Sequence, residues 1–192
     1  MCLFSGDERE RRQVMSTFIK QGLDGNDRVL CFFADPARAN SVLDFLEPDT
    51  RHVLVSSGQL GLASTADNAR DHGRFHPEQA SEELRREVDA TMAAGWRGLR
   101  VSGDTWASPT SSTQQLIDSE LAVTDALSEL PVSVICEYDM VAYGPDRADQ
   151  FLRAHPGRVG VDPWRSHGAM RVFRLFEPPE IRVEGNVDAV SG

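Results

Sequence analysis

The sequence predicts an α/β fold in which a mostly parallel sheet is covered by helices on both faces. Two observations predict it. Arg28 to Ala34 is a continuous rather than alternating run of strand length, as a strand buried on both faces requires, and Val132 to Tyr138 reads as another buried strand. Segments with apolar residues at helical spacing lie between them. Strands alternating with helices are joined by right-handed crossovers into a parallel sheet.

The chain opens with Cys2 to Phe4, a short apolar run that reads as the end of a central strand. Ser5 and Glu8 match a capping box, and Val14, Met15, Phe18, Ile19 and Leu23 then recur at helical spacing until Gly25. The run Arg28 to Ala34 is the next strand. Asp35-Pro36 opens a helix carrying Val42, Leu43 and Leu46, with proline at its first position. His52 to Ser56 reads as a further strand. Ser57 to Arg74 is polar and lacks a period, so it reads as a loop with a short helical piece; a loop of that length in a compact domain is usually functional or disordered.

From Pro77, the residues Leu84, Val88 and Met92 recur every four positions up to Gly95 and define a helix. A strand over Arg97 to Ser102 follows, and the chain is expected to break at Gly103. Ser111 or Ser112 starts a long helix that ends before Pro131, and Val132 to Tyr138 is a buried strand. Gly144-Pro145-Asp146 starts a helix stopped by His155-Pro156. Gly157 to Trp164 is irregular, and Met170 to Phe176 is a late strand ended by Pro178-Pro179. There is no internal repeat, no low-complexity tract and no strong linker before Pro178.

Of 192 residues, 40% are hydrophobic and 26% charged, the balance of a globular chain long enough for one sizeable core. The formal net charge of −10 repels nucleic acid and anionic lipid, so neither is an expected partner. No apolar run approaches the length that spans a bilayer. No basic stretch followed by an apolar one marks a signal peptide, so a cytoplasmic protein is expected. Three dispersed cysteines, Cys2, Cys31 and Cys136, make no disulfide framework and read as small buried hydrophobes. Cys2 and Cys136 both fall at strand ends, where a shared pocket would expose them to oxidants.

A nucleotide-hydrolysing site would put a glycine-rich loop with a lysine after the first strand. Phe4-Ser5-Gly6-Asp7-Glu8 has no lysine, and its carboxylates stand where a phosphate would bind. Gly58-Gln59-Leu60-Gly61 lacks the lysine too. His72 and His76 are four apart, but Gly73 and Pro77 break a shared helix face and no third ligand stands near, so no metal is expected. No strand-elbow motif surrounds a serine, and nothing in the sequence brings a histidine to Cys136.

The stretch Gly95 to Trp106 is the place to expect a site, because ligands of open α/β sheets bind beyond the carboxyl ends of the strands. There Asp104 and Trp106 are either a turn residue and a core plug or part of a pocket. Glu120 lies on the helical stripe of Leu116, Val123 and Leu127; it either reaches water from the edge of the stripe or points into a pocket with Asp104, Trp106 and Tyr138.

Taken together, several motifs resemble one family. They are Cys2-Leu3-Phe4, Phe18-Ile19 through Gly22-Leu23, Gly73 to Phe75 ahead of Pro77, and Gly98-Leu99-Arg100-Val101-Ser102-Gly103-Asp104 with Trp106. Glu120, Cys136-Glu137-Tyr138-Asp139 and His155-Pro156 complete the set. Their order and spacing resemble the MEDS domain, a sensory domain of methanogen and methylotroph regulators. The resemblance covers roughly the first 175 residues. It implies a RecA-like or KaiC-like three-layer sandwich without a phosphate loop, and a role in sensing small molecules such as hydrocarbon derivatives. The family pattern has a histidine just ahead of the position of Met1, which this sequence does not carry. Ile181 to Asp188 is similar to the first strand of a STAS domain, a module found beside MEDS domains.

The expectation is therefore a MEDS-like sensory domain over residues 1–177, then a linker and the start of a STAS domain over 178–192 that forms a flexible end. The domain is expected to be non-enzymatic and without cofactor. It binds a small molecule or a signalling partner at the carboxyl edge of the sheet through Phe4, Asp104, Trp106, Glu120, Cys136, Tyr138 and Asp139. An anti-sigma factor, a STAS protein or a kinase are the partners the resemblance implies. The alternatives are a degenerate RecA-like nucleotide-binding protein and a ligand-free, partner-switching module.

Overall fold

Alternating strand and helix segments build one sheet with a helical layer on each side. In the computed structural model the strands are β1 (Cys2–Ser5), β2 (Arg28–Phe33), β3 (Leu60–Ser64), β4 (Leu99–Asp104), β5 (Val132–Asp139), β6 (Arg158–Val161), β7 (Met170–Leu175) and β8 (Ile181–Glu184). The helices are α1 (Glu8–Asp24), α2 (Pro36–Val42), α3 (Pro48–Ser56) and α4 (Pro77–Ala93). The structure describes residues 2–5, 7–33, 35–64, 77–104, 130–139, 158–161, 170–175 and 181–184, with the helical residues 114, 117, 118, 121, 124 and 127.

Strand order is β3-β2-β4-β5-β1-β6-β7-β8. Pairings from β3 through β6 are parallel, and β7 and β8 add antiparallel strands at one edge. The expected mostly parallel α/β sheet is thus the observed one.

Side-chain alternation along each strand separates two cores. On one face Val29, Cys31 and Phe33 of β2 meet Val14, Met15, Phe18 and Ile19 of α1 and Val42 of α2. Leu30 and Phe32 of the same strand join Leu99, Val101 and Val88 of α4 on the other face. This is a three-layer sandwich. Among the described residues no helix is long and apolar enough to cross a membrane.

The structure departs from expectation at several places, and α2 ends at Val42, ahead of Leu43 and Leu46, which were expected on it. His52 to Ser56 is not a strand but the last turns of α3. The apolar run Val53-Leu54-Val55 suggested β structure, yet Pro48 at the first helical position and Asp49 in the first turn are helix-starting signals. The strand instead forms at Leu60, after a turn through Gly58 at φ +78°. Helix α1 is capped by Asp7, not by Ser5, because the Asp7 side chain accepts the N–H groups of Arg9 and Glu10.

Gly103 does not break the chain, for β4 runs on to Asp104 with Gly103 paired to both Phe32 and Cys136. Within the stretch expected to be irregular, Arg158 to Val161 is β6, held by β1 and β7. Ile181 to Glu184 lies in register against β7 as the outermost strand, not as a free end. The helical residues from 114 to 127 agree with the expected helix ahead of Pro131. The helix expected from Gly144 lies outside the described residues.

The amino edge of the sheet is tied by one carboxylate. Asp27 is buried at the start of β2 and accepts from Arg97 Nε at 3.0 Å, Arg97 Nη2 at 3.2 Å and Arg100 Nε at 2.8 Å. Arg100 also donates to the Phe18 carbonyl and lies over the Phe18 ring. Gly22 makes that contact fit: a Cβ there would stand 2.5 Å from the Arg100 side chain and 2.9 Å from Val29.

Burial raises the Asp27 pKa, but the hydrogen bonds from Arg97 and Arg100 outweigh it and hold the carboxyl below its ordinary 3.8. A depressed folded-state pKa contributes stability that is complete above the ordinary value and lost as pH falls below it. Asp27→Asn is expected to lower stability at neutral pH by about 2 kcal/mol and to flatten the acid limb. Urea melts at neutral and strongly acidic pH check this; an acid limb unchanged from the parent contradicts it.

Candidate functional site

The carboxyl ends of β4, β5 and β1 lie side by side, as the sheet order requires. Register puts Asp104 beside Glu137, Leu3 beside Glu137, Phe4 beside Tyr138 and Ser5 beside Asp139. Five of the seven expected site residues, Phe4, Asp104, Cys136, Tyr138 and Asp139, are therefore neighbours on one edge of the sheet. Trp106 and Glu120 lie outside the described residues.

The strand pleat separates the described side chains of this group. Cys136 and Tyr138 share one face of β5, and Glu137 lies on the other. Tyr138 is only 2% exposed and Cys136 7%, so both are packed inside rather than lining an open wall. Cys2 is the register partner of Cys136. Cys31 and Cys136 are buried and are not joined in a disulfide. Burial pushes the Cys31 thiol up to about 12, which leaves it without thiolate at neutral pH.

On the opposite face of β5 the polar organisation is tight. Arg11 of α1 is 6% exposed and Glu137 5%. Arg11 Nη1 donates to Glu137 Oε2 at 2.7 Å. The same guanidinium grips Glu8 through Nε at 2.7 Å and Nη2 at 2.5 Å, and Arg38 of α2 stands 3.7 Å from Glu8. Burial opposes the Arg11 charge, but the hydrogen bonds it donates to Glu8 and Glu137 prevail and raise its pKa further. The Arg11 hydrogen bond holds the Glu8 carboxyl below its ordinary value, against a smaller effect of burial. Arg11 and Glu8 are therefore ionised at any physiological pH.

Neither Arg11 nor Glu137 was an expected site residue, although both carry a signal in the sequence. Arg11 stands three and four residues before Val14 and Met15, so a charged side chain heads the buried stripe of α1. Glu137 interrupts an apolar strand in the same way. A charge on each of two apolar faces is the pattern of a buried pair.

The α1 amino terminus follows β1 directly, and a helix start there is a ready anion seat. It is filled from within. The Asp7 carboxylate accepts from the backbone N–H of Arg9 at 2.7 Å and of Glu10 at 3.4 Å, and Glu8 and Glu10 add acid to the first turn. Among the described residues no three His, Cys, Asp or Glu side chains are grouped to hold a metal ion. A shallow open hollow of about 440 Å³ lies instead between α2 and α3, lined by residues including Asn40, Asp44, Arg51 and His52.

The buried pair predicts strong coupling. Arg11→Met takes the Arg11 guanidinium away from buried Glu137 and is expected to cost about 3–5 kcal/mol. The double variant Arg11→Met with Glu137→Leu is expected to cost less than the sum of the singles by about 1–3 kcal/mol. Urea denaturation of the four proteins measures this, and additive losses contradict the arrangement.

Comparison with known proteins agrees with this geometry. Similar solved structures include the flagellar accessory protein FlaH from Methanocaldococcus jannaschii, at 8% identity and a TM-score of 0.52, covering 95% of this chain and 76% of that one. A KaiC-like protein from Pyrococcus horikoshii OT3 is similar at 14% identity and a TM-score of 0.52, covering 95% and 77%. At such identities the likeness shows the fold, a RecA-like and KaiC-like α/β sandwich. No curated protein matches the chain in sequence. The family model described as the methanogen/methylotroph, DcmR sensory domain matches residues 1–156, and the chain belongs to this MEDS family of sensory domains.

Proposed function

We propose that this sensory domain is non-enzymatic and receives its signal, a small molecule, at the carboxyl edge of β4, β5 and β1. The state of the α1 amino terminus is the observation that supports this most. The N–H groups of Arg9 and Glu10 there are taken by the Asp7 carboxylate, and the nearby buried cation, Arg11, is held by Glu8 and Glu137. A nucleotide would have to displace the Asp7 carboxylate with its own phosphates and draw Arg11 away from a buried carboxylate. Breaking a buried pair in that way costs about 3–5 kcal/mol before any binding is gained.

A neutral or weakly polar ligand, such as a hydrocarbon derivative, meets no such barrier. In this reading Asp104, Asp139 and Phe4 lie at the strand tips, and Trp106 and Glu120 follow from the next segment. A second reading, a ligand-free module that switches between an anti-sigma factor, STAS or kinase partner, is favoured by one observation. Cys136 and Tyr138 are buried, so they fill rather than line the edge.

Native mass spectrometry of the freshly purified chain, run beside calorimetry with magnesium–ATP, tests the proposal. The expected result is a bound organic molecule that is not a nucleotide and is lost on denaturation, with no heat of ATP binding. Micromolar magnesium–ATP affinity overturns it. A chain bare of any adduct supports the partner-switching reading instead.

A further inference from the structure

We infer that the hollow between α2 and α3 is a binding site for a small carboxylic acid with an apolar body, its carboxylate held by Arg51. The inference does not rest on the carboxyl-edge site. It starts from how the chain turns there. Helix α2 ends at Val42, the Leu46 N–H closes a turn onto the Leu43 carbonyl, and Pro48 starts α3 soon after. Two short helices joined so closely leave a hollow of about 440 Å³ between them, within the size range of small-molecule sites.

The base of the hollow is apolar. Leu43 is 1% exposed and belongs to the core between α1 and the sheet, and Leu46 packs against that core. On the α3 side Val55 is 44% exposed. A short hydrocarbon body laid against these side chains removes its own apolar surface and theirs from water.

The polar groups of the lining carry an unmatched positive charge. Half-buried Arg51 donates from Nη1 to Asn40 Oδ1 at 3.0 Å, a bond that ties α3 to α2. That acceptor is a neutral amide, whereas Arg11, Arg28 and Arg100 each meet a carboxylate. A guanidinium has five N–H donors, so Arg51 keeps donors for a second acceptor. Asp44 is the acid of the lining, and Arg12 Nη1 stands 3.3 Å from it and offsets its charge. Glu47 and Asp49, close by in sequence, do not line the hollow, and His52 adds a ring N–H donor.

These features select one chemistry. A carboxylate fits the guanidinium fork through two parallel N–H···O bonds. An amine is repelled by Arg51, an alcohol leaves its charge unmet, and a dianion meets Asp44 as well. One negative charge on an apolar body suits both the base and the rim, in a chain whose formal net charge of −10 repels anions elsewhere.

Methyl NMR of the full chain, titrated separately with hexanoate, hexanol and hexylammonium, tests this. Hexanoate is expected to shift the Leu43, Leu46 and Val55 methyl signals saturably, at concentrations on the order of millimolar. Hexanol is expected to bind about tenfold more weakly or worse, and hexylammonium not to saturate. Arg51→Met is expected to keep the fold and to abolish the preference for hexanoate over hexanol. Should that variant fail to fold, Val55→Glu sets a carboxylate at an exposed position of the hollow and is expected to abolish hexanoate binding. The inference is overturned if hexanoate leaves these methyl signals unmoved, or shifts those of Leu3 and Ile135 in their place. Equal binding of hexanol overturns it too, as does full hexanoate affinity in a folded variant.

Discussion

A buried arginine at the head of α1 is the constraint from which the carboxyl edge of this domain follows. A guanidinium removed from water must keep its charge and have it met by acceptors. Arg11 has Glu137 on one side and Glu8 on the other. Glu137 belongs to the strand between β4 and β1, so the pair pins α1 to the middle of the sheet. Glu8 belongs to the first turn of α1 itself and brings Arg38 of α2 near. One cation thus fixes the sheet, the first helix and the approach of the second, all at the end of the sheet where α/β folds place ligands.

The opposite end inverts the arrangement. There a buried carboxylate, Asp27, is met by two arginines from the β4 segment, one of which packs on the Phe18 ring. Between these two charged ends a cluster of apolar side chains packs on each face of the sheet. The two clusters act on orientation more than on net stability, because ion pairs taken out of water largely offset their own attraction. They fix how α1 lies across the sheet, which the non-directional burial of Phe18 and Ile19 would leave loosely defined. The consequence for function is chemical. In a fold whose first helix start is an anion seat, the seat is filled by Asp7 and the buried cation beside it is committed.

Much of this was legible in the sequence. Strands buried on both faces announced themselves as continuous apolar runs, and Asp35-Pro36 and Gly95 marked helix ends correctly because caps are local chemistry. The register could not be read, and the site depends on it. That Asp104 lies beside Glu137, and Glu137 beside Leu3, is a matter of which strands are neighbours. Strand order is set by contacts distant in sequence.

The error at His52 to Ser56 has the same root in reverse. A three-residue apolar run has no period to read, and the proline and acid before it were the better evidence. Tyr138 and Glu137 show the limit most plainly. Adjacent in sequence, they face opposite layers of the sandwich, and only one of them meets Arg11.

Arg11 is engaged by Glu8 and Glu137 and so is unavailable to a phosphate. Nitrogen-edited NMR of the arginine side chains reads this directly. The expected result is a resolved Arg11 Nε–H resonance in slow exchange with water, unmoved when magnesium–ATP or inorganic phosphate is added. An Arg11 signal that exchanges rapidly with water, or that shifts saturably with either anion, would contradict it.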